Sequence, residues 1–201
     1  MKESMIILLF FLIGLIAGIS GINFSFENVD NLSLYALYML MLFVGIGVGA
    51  DQRVWDTLKK INLKIIAIPI IVIIGTALGT LICSVFLSDI SMLDAMAIGS
   101  GFGYYSLSSI LISKIRDETL GVIALIANIS REIFTLVATP LLVKYFGNIA
   151  PIASAGATSM DTTLPVITKY SGKEYAIISI FSGVVLTILV PSIITLIYKF
   201  M

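Results

Sequence analysis

The chain has 201 residues, 59% of them hydrophobic and 12% charged, with 12 basic and 12 acidic side chains cancelling to zero net charge and a mean hydropathy of +1.10. A soluble globular domain carries about 25% charged residues, so composition excludes that class and points to an all-α integral membrane protein, with residues 1–201 forming a single polytopic membrane domain. No stretch is strongly basic, which excludes a nucleic-acid partner. Histidine is absent and Cys83 is the only cysteine, which excludes disulfide frameworks, zinc sites and haem attachment within the chain; no metal and no cofactor is expected.

Taken in order, span one runs from Met5 to Ile22 after Lys2. It reads as uncleaved, because Ala17-Gly18-Ile19-Ser20-Gly21 is a poor cleavage site. Span two, Leu32 to Ala50, leads into a connection flanked by Arg53, Lys59, Lys60 and Lys64, which Trp55 can anchor in the interface. Span three, Leu63 to Leu87, is followed by an acidic link with Asp89 and Asp94. Span four, Met92 to Ile112, contains Gly99-Ser-Gly-Phe-Gly-Tyr-Tyr-Ser-Leu-Ser-Ser109. No strand precedes those glycines, so they mark a thin or unwound segment beside a cavity rather than a nucleotide loop. Gly14/Gly18, Gly45/Gly49 and Gly75/Gly79 have the spacing that lets membrane helices approach closely. No Walker A pattern is present, so transport would draw on a gradient or a separate ATPase.

Span five, Leu120 to Tyr145, carries Asn128, Arg131 and Glu132 amid apolar neighbours. Arg131 lies roughly 20 Å along the helix from the cluster Lys114, Arg116, Asp117, Glu118 and as far from Lys144, near mid-bilayer. A charge there costs on the order of 2.5 kcal/mol or more unless paired or wetted. Adjacent helix positions point about 100° apart, so Arg131 and Glu132 cannot satisfy each other, whereas Asn128 and Glu132 share a face. Two readings stay open: a structural ion pair or hydrogen-bond clamp between helices, and an intramembrane binding or proton site.

Span six, Pro151 to Thr168, has too many Gly, Ser and Thr residues, with Pro165, for a lipid-facing helix. Irregular backbone at membrane depth is tolerated only inside protein or along a wet cavity, so this span is expected to be broken and interior, as in secondary transporters that bind substrates and ions at half-helix ends. Asp161 sits at the depth of Arg131 and is expected to pair with it, leaving Glu132 and Asn128 on the neighbouring face. Thr158, Ser159, Thr162 and Thr163 are candidate hydroxyl donors, or else bond their own backbone carbonyls; Ser100 of span four joins the candidate substrate and proton site. Span seven, Tyr175 to Tyr198, is apolar with Pro191.

Alternation from a cytoplasmic Arg53–Lys64 connection puts Lys2, Lys114, Arg116, Lys169 and Lys173 inside as well, nine of the 12 basic residues, with Lys144 and Lys199 outside. About seven transmembrane segments with at least one broken helix are therefore expected, N-terminus in and C-terminus out. The principal risk to this count is that span four or span six fails to cross.

Three segments, Gly99 to Ser109, Leu125-Ile-Ala-Asn-Ile-Ser-Arg-Glu-Ile133 and Gly156-Ala-Thr-Ser-Met-Asp-Thr-Thr-Leu-Pro-Val166, resemble the prokaryotic lysine exporter family of the LysO type over nearly the whole chain. The resemblance implies a secondary transporter, not an enzyme, that exports L-lysine and toxic lysine analogues across the inner membrane, with Glu132 functional and Asp161 in the most recognisable motif. It also implies an extra N-terminal hydrophobic region in longer members, and so a small membrane subunit supplying those helices here; a homo-oligomer is a further expectation. The family is similar in turn to cation/proton antiporters and bile-acid transporters, in which two broken helices cross; span one, with Gly14, Gly18 and Gly21, is then the expected partner of span six. Expected partners are L-lysine, protons and the lipid bilayer. Glu132 would hold either a proton or a lysine ammonium, half-helix six and Arg131 would receive the carboxylate, and exchange would be antiport. The alternatives are a cation/proton exchanger or an organic-anion carrier of related fold, or a non-autonomous subunit of a two-component exporter.

Overall fold

A computed structural model describes residues 13, 16, 35, 39, 42, 46, 50, 52, 63–87 and 89–200. Two compact units divide the chain, Met1–Tyr35 and Ala36–Met201. In the first, Ile13, Ile16 and Tyr35 are helical and exposed. The rest of spans one and two, including Gly14, Gly18, Gly21, Gly45 and Gly49, lies outside the described residues, as does Trp55.

In the second unit the described regular structure is entirely helical: α1 (Leu63–Ser84), α2 (Met92–Gly99), α3 (Tyr105–Ile115), α4 (Glu118–Phe146), α5 (Ala150–Ala155), a 3-10 turn (Gly156–Met160), α6 (Leu164–Ser171) and α7 (Ala176–Lys199). Among the described residues three stretches are long and apolar enough to cross a membrane, Ile65–Ser84, Glu118–Phe146 and Lys173–Lys199. Their helices of 22, 29 and 24 residues are about 33, 44 and 36 Å long at 1.5 Å per residue, against a hydrocarbon core of about 30 Å. By the same measure α2 and α3, of 8 and 11 residues, reach only about 12 and 17 Å.

The short helices begin and end for local reasons. Ser91 caps α2, its hydroxyl accepting the Asp94 N–H at 3.1 Å. Asp117 caps α4 by accepting from Thr119 and Leu120 N–H at 2.8 and 3.2 Å, which satisfies donors that a helix start leaves orphaned. Pro151 and Pro165 sit in the first turns of α5 and α6, where no backbone donor is lost.

Spans four and six double back. Arg116 Nε, just past α3, lies 3.4 Å from Asp94 Oδ1 in the first turn of α2, so α2 and α3 form a hairpin whose two ends meet. Asn148 Nδ2, before α5, donates to Tyr175 Oη, after α6, at 3.3 Å, closing a second hairpin. Ile68 near the start of α1 packs with Ile152 and Ile167 of hairpin two, while Tyr198 near the end of α7 adjoins Asp94. The hairpins therefore enter from opposite ends of the bundle. This corrects the expected alternation, which set Asp94 and Arg116 on opposite faces. Lys114, Arg116 and Lys199 share one end; Lys64, Lys144, Lys169 and Lys173 share the other.

The hairpin tips meet between α1, α4 and α7. Ala157 N–H donates to the Phe102 carbonyl at 2.8 Å, and a Cβ on Gly103 would come within 3.0 Å of the Ala155 carbonyl oxygen. Gly103 (φ 90°) and Gly156 (φ 66°) take backbone angles open to glycine. Among the described residues the segment that meets span six at its break is the unwound stretch of span four; span one, the expected partner, lies outside the described residues but for Ile13 and Ile16. Around it Phe102, Leu107, Ile112, Leu186, Val190 and Ile194 make the main core.

Candidate functional site

One helix, α4, holds both tips. Asn128, 2% exposed, donates from Nδ2 to the carbonyls of Ile98 (3.0 Å) and Ala124 (2.9 Å) and to Ser108 Oγ (3.4 Å), while its Oδ1 accepts Gly103 N–H at 2.7 Å. Helix α2 has ended at Gly99, so the Ile98 carbonyl and Gly103 N–H need such partners. Three positions on, Arg131 donates from Nε to the Ser154 carbonyl (2.8 Å), from Nη2 to the Ala153 carbonyl (3.1 Å) and from Nη1 to Thr76 Oγ1 (3.3 Å). Its guanidinium lies 5.9 Å from the Phe102 ring centroid, within cation–π range. One turn further, Thr135 Oγ1 and Ser154 Oγ are 2.7 Å apart.

The expected Arg131–Asp161 pair is not formed. The last carbonyls of a helix are unsatisfied and carry partial negative charge, and the short α5 presents two of them to Arg131 in fork geometry. Asn128 is likewise turned away from Glu132, with its amide consumed by hairpin one.

The acids lie beside this clamp. Glu132 is half-buried and Asp161 exposed. Thr162, the residue after Asp161, donates its N–H (2.6 Å) and its hydroxyl (3.4 Å) to Asp161 Oδ1, and that hydroxyl also faces Glu132, which feels the Asp161 charge. Tyr105, at the start of α3, senses both Glu132 and Asp161, and Tyr104 senses Asp161. Two carboxylates, a threonine and two tyrosines thus converge where the half-helices meet. Such a group can hold protons or ammonium groups in exchange.

The other expected hydroxyls turn inward. Ser100 Oγ donates to the Met96 carbonyl (2.7 Å), Thr158 Oγ1 to that of Ala155 (3.1 Å) and Thr163 Oγ1 to that of Thr158 (2.9 Å). Ser159 Oγ is placed to donate to the Gly156 and Ser179 carbonyls at 2.7 and 2.8 Å, while Ser179 Oγ donates to the Ser159 carbonyl at 2.7 Å, which ties the tip of hairpin two to α7. Of the expected hydroxyls, Thr162 is the one turned to the acids. Residue-by-residue reading missed Tyr104, Tyr105 and Thr76. The tyrosine pair directly after the glycine run was the signal available for the first two; nothing local marked Thr76.

The sequence profile of the lysine exporter LysO family matches residues 8–198. This chain belongs to that family. It is 33% identical over 184 residues to lysine exporter LysO of Escherichia coli, covering 90% of this chain and 60% of that one. A Haemophilus influenzae relative, named provisionally as a lysine exporter, is 35% identical over 168 residues, 83% of either chain. The chain thus spans about three-fifths of the length of the E. coli protein. No solved structure matches. Family membership and the apolar helices together make this a membrane protein of a transporter family.

Proposed function

We propose that the chain is a secondary transporter that exports L-lysine and toxic lysine analogues across the inner membrane by proton antiport, with Glu132 and Asp161 as the exchanging acids. The observation that carries this reading is the convergence of those carboxylates at the meeting point of two broken segments, with neither ion-paired among the described residues. A lysine ammonium or a proton can satisfy each. Helix breaks at the midplane are how secondary transporters build such sites. The family supports export rather than uptake.

The rival readings are a cation/proton exchanger and an organic-anion carrier. Arg131 weighs against the second: three of its five donors hold Ala153, Ser154 and Thr76, so the guanidinium is committed to hairpin two while the acids face the site. Arg131 accordingly acts as the clamp of hairpin two and not as a receptor for the substrate carboxylate.

The orientation reading is five crossings and two re-entrant hairpins, N-terminus in and C-terminus out. Lys144, Lys169 and Lys173 gather at the end of the bundle where α1 begins, and Arg53, Lys59, Lys60 and Lys64 stand at or before that start in the sequence; the other end has Lys114, Arg116 and Lys199 among Asp89, Asp94, Asp117 and Glu118. The basic end is cytoplasmic. A reporter fused after Arg116 is therefore active outside, and activity inside would restore seven crossings.

The functional test is lysine flux in proteoliposomes under an imposed pH gradient. Glu132→Gln and Asp161→Asn keep the shape and mimic protonated acids, so each abolishes coupled flux while leaving thermal stability in detergent near that of the unaltered chain. Undiminished flux in both variants overturns the assignment.

A further inference from the structure

Away from the junction, at the end where hairpin one closes, the bundle has an open cleft of about 800 Å³, lined by Asp89, Asp94, Arg116, Asp117, Leu120 and Ile123, with Thr119 also exposed there. That volume lies within the roughly 300–1,000 Å³ of small-molecule sites. The carboxylate of Asp94 is the unusual group. The residue is 4% exposed; Oδ2 accepts the Ser91 hydroxyl at 2.6 Å, but Oδ1 receives no hydrogen bond from any protein group, with Arg116 Nε standing off at 3.4 Å. The adjoining Tyr198 hydroxyl is buried too and faces the same carboxylate. Buried polar atoms are ordinarily hydrogen-bonded, and a buried carboxylate whose Oδ1 is held by that longer ion pair has capacity for a ligand donor at the cleft. Arg116, with 44% of its side chain exposed, has donors to spare.

The charges are of the right kind for one class of ligand. Three acids, Asp89, Asp94 and Asp117, line the cleft with a single guanidinium, and Leu120 and Ile123 add apolar surface to it. We propose that this cleft is a second binding site for a zwitterionic dibasic amino acid, with Arg116 receiving its carboxylate, the acids its ammonium groups, and Leu120 and Ile123 its aliphatic stem. Naming L-lysine as that amino acid rests on the transport reading above. The cleft is separate from the Glu132–Asp161 site: α3 alone, from Tyr105 to Arg116, sets about 17 Å between them, more than one lysine can bridge. It is a waystation at the end of the bundle opposite the basic loops.

The test uses the full chain in proteoliposomes carrying Cys83→Ser and Thr119→Cys, and measures how fast a charged maleimide labels the new thiol in the cleft. L-lysine slows labelling saturably, and cadaverine, which lacks the carboxylate, protects more weakly. Adding Arg116→Gln raises the half-protecting lysine concentration by about tenfold, the loss of one charge-assisted contact, and brings lysine to the level of cadaverine. Adding Asp94→Asn weakens both ligands alike. Adding Glu132→Gln leaves protection intact. Absence of protection by lysine in a chain that still carries lysine overturns the cleft site and spares the transport reading; protection that disappears with Glu132→Gln also overturns it, since the thiol then reports on the junction. Protection in a chain that carries no lysine upholds the cleft and sinks the transport reading.

Discussion

Hairpin one and hairpin two are held by the same helix through chemically opposite means. Hairpin one, Met92 to Ile115, has a buried neutral tip, and a neutral amide, Asn128, supplies donors and acceptor to its broken backbone. Hairpin two, Ala150 to Ser171, exposes an acid and a threonine at its tip and ends its first half in bare carbonyls, and a cation, Arg131, holds those. The mouths are reversed in the same sense: an ion pair, Asp94–Arg116, closes the neutral hairpin, and a neutral bond, Asn148–Tyr175, closes the charged one. The difference teaches that one tip is scaffold and the other carries the exchanging acid, so equivalent mutations in the two should not have equivalent effects.

The largest effect should come from breaking the contact between the tips. Gly156 has φ 66° and ψ −122°, and a side chain there would collide with the Phe102 carbonyl and Cβ. Gly156→Val is expected to remove folded protein from the membrane, measured as monodisperse material after detergent extraction. Gly103→Ala, whose Cβ meets the Ala155 carbonyl at 3.0 Å, is expected to leave less-stable but extractable protein. Equal yields from the two would mean that the tips do not bear on one another as described.

Next come the anchors. Asn128→Leu leaves the Gly103 N–H buried without a partner, at a cost of about 1–3 kcal/mol, removes one of the two donors on the Ile98 carbonyl, which keeps Gly101 N–H at 3.3 Å, and lowers thermal stability without altering the acids. Arg131→Lys keeps the charge but cannot fork onto two carbonyls, so it should lose stability too, by less than Arg131→Met. Restoration of Arg131→Met by Asp161→Asn would revive an Arg131–Asp161 pair and contradict the geometry; no restoration is expected.

How much of this could be read beforehand depends on the kind of information each feature needs. The polar triplet in span five stood out because mid-membrane charge is expensive wherever it is put, and the breaks stood out because Gly, Ser, Thr and Pro are poor lipid-facing helix. That the broken spans turn back was not legible: Met92 to Ile115 has the length and apolarity of a crossing, and only the distant contact between Asp94 and Arg116 shows that its ends meet. The partner of Arg131 was missed for a related reason. Sequence displays the carboxylate of Asp161 and hides the carbonyls of Ala153 and Ser154, although a helix of six residues has hardly any carbonyls that are not at its end. That Asp161 lies at the depth of the polar triplet was legible from its place midway along span six, but the sequence pointed it at Arg131, and its approach to Glu132 emerged only with the fold.

A smaller effect separates the tips by function. Thr162 of hairpin two faces both acids, so Thr162→Val should lower lysine flux about fivefold, the equivalent of one neutral hydrogen bond of about 1 kcal/mol. Tyr105→Phe, on the hairpin-one side of the same acids, should lower it less, and Ser100→Ala and Thr158→Val, whose hydroxyls serve carbonyls, not at all. A flux defect in Ser100→Ala larger than in Thr162→Val would overturn the division into scaffold and working tip.

The smallest effect lies where hairpin one hands the chain to α4. The Asp117 carboxyl is held below its ordinary value of 3.8 chiefly by the hydrogen bond from the Leu120 N–H, then by the Thr119 side chain. Because the folded value is the lower one, ionised Asp117 adds stability that is fully present above the ordinary value and fades as pH falls through the folded one. Asp117→Ala should therefore melt slightly below the unaltered chain at neutral pH, and the two melting curves should converge under acid. No such cap guards the entry to hairpin two, where Ile149 precedes α5 without a side-chain bond; Ile149→Ala should show a melting difference independent of pH. A gap between Asp117→Ala and the unaltered chain that widens under acid would mean that the carboxyl bonds α4 in its protonated form, and the handover would not be an N-cap at all.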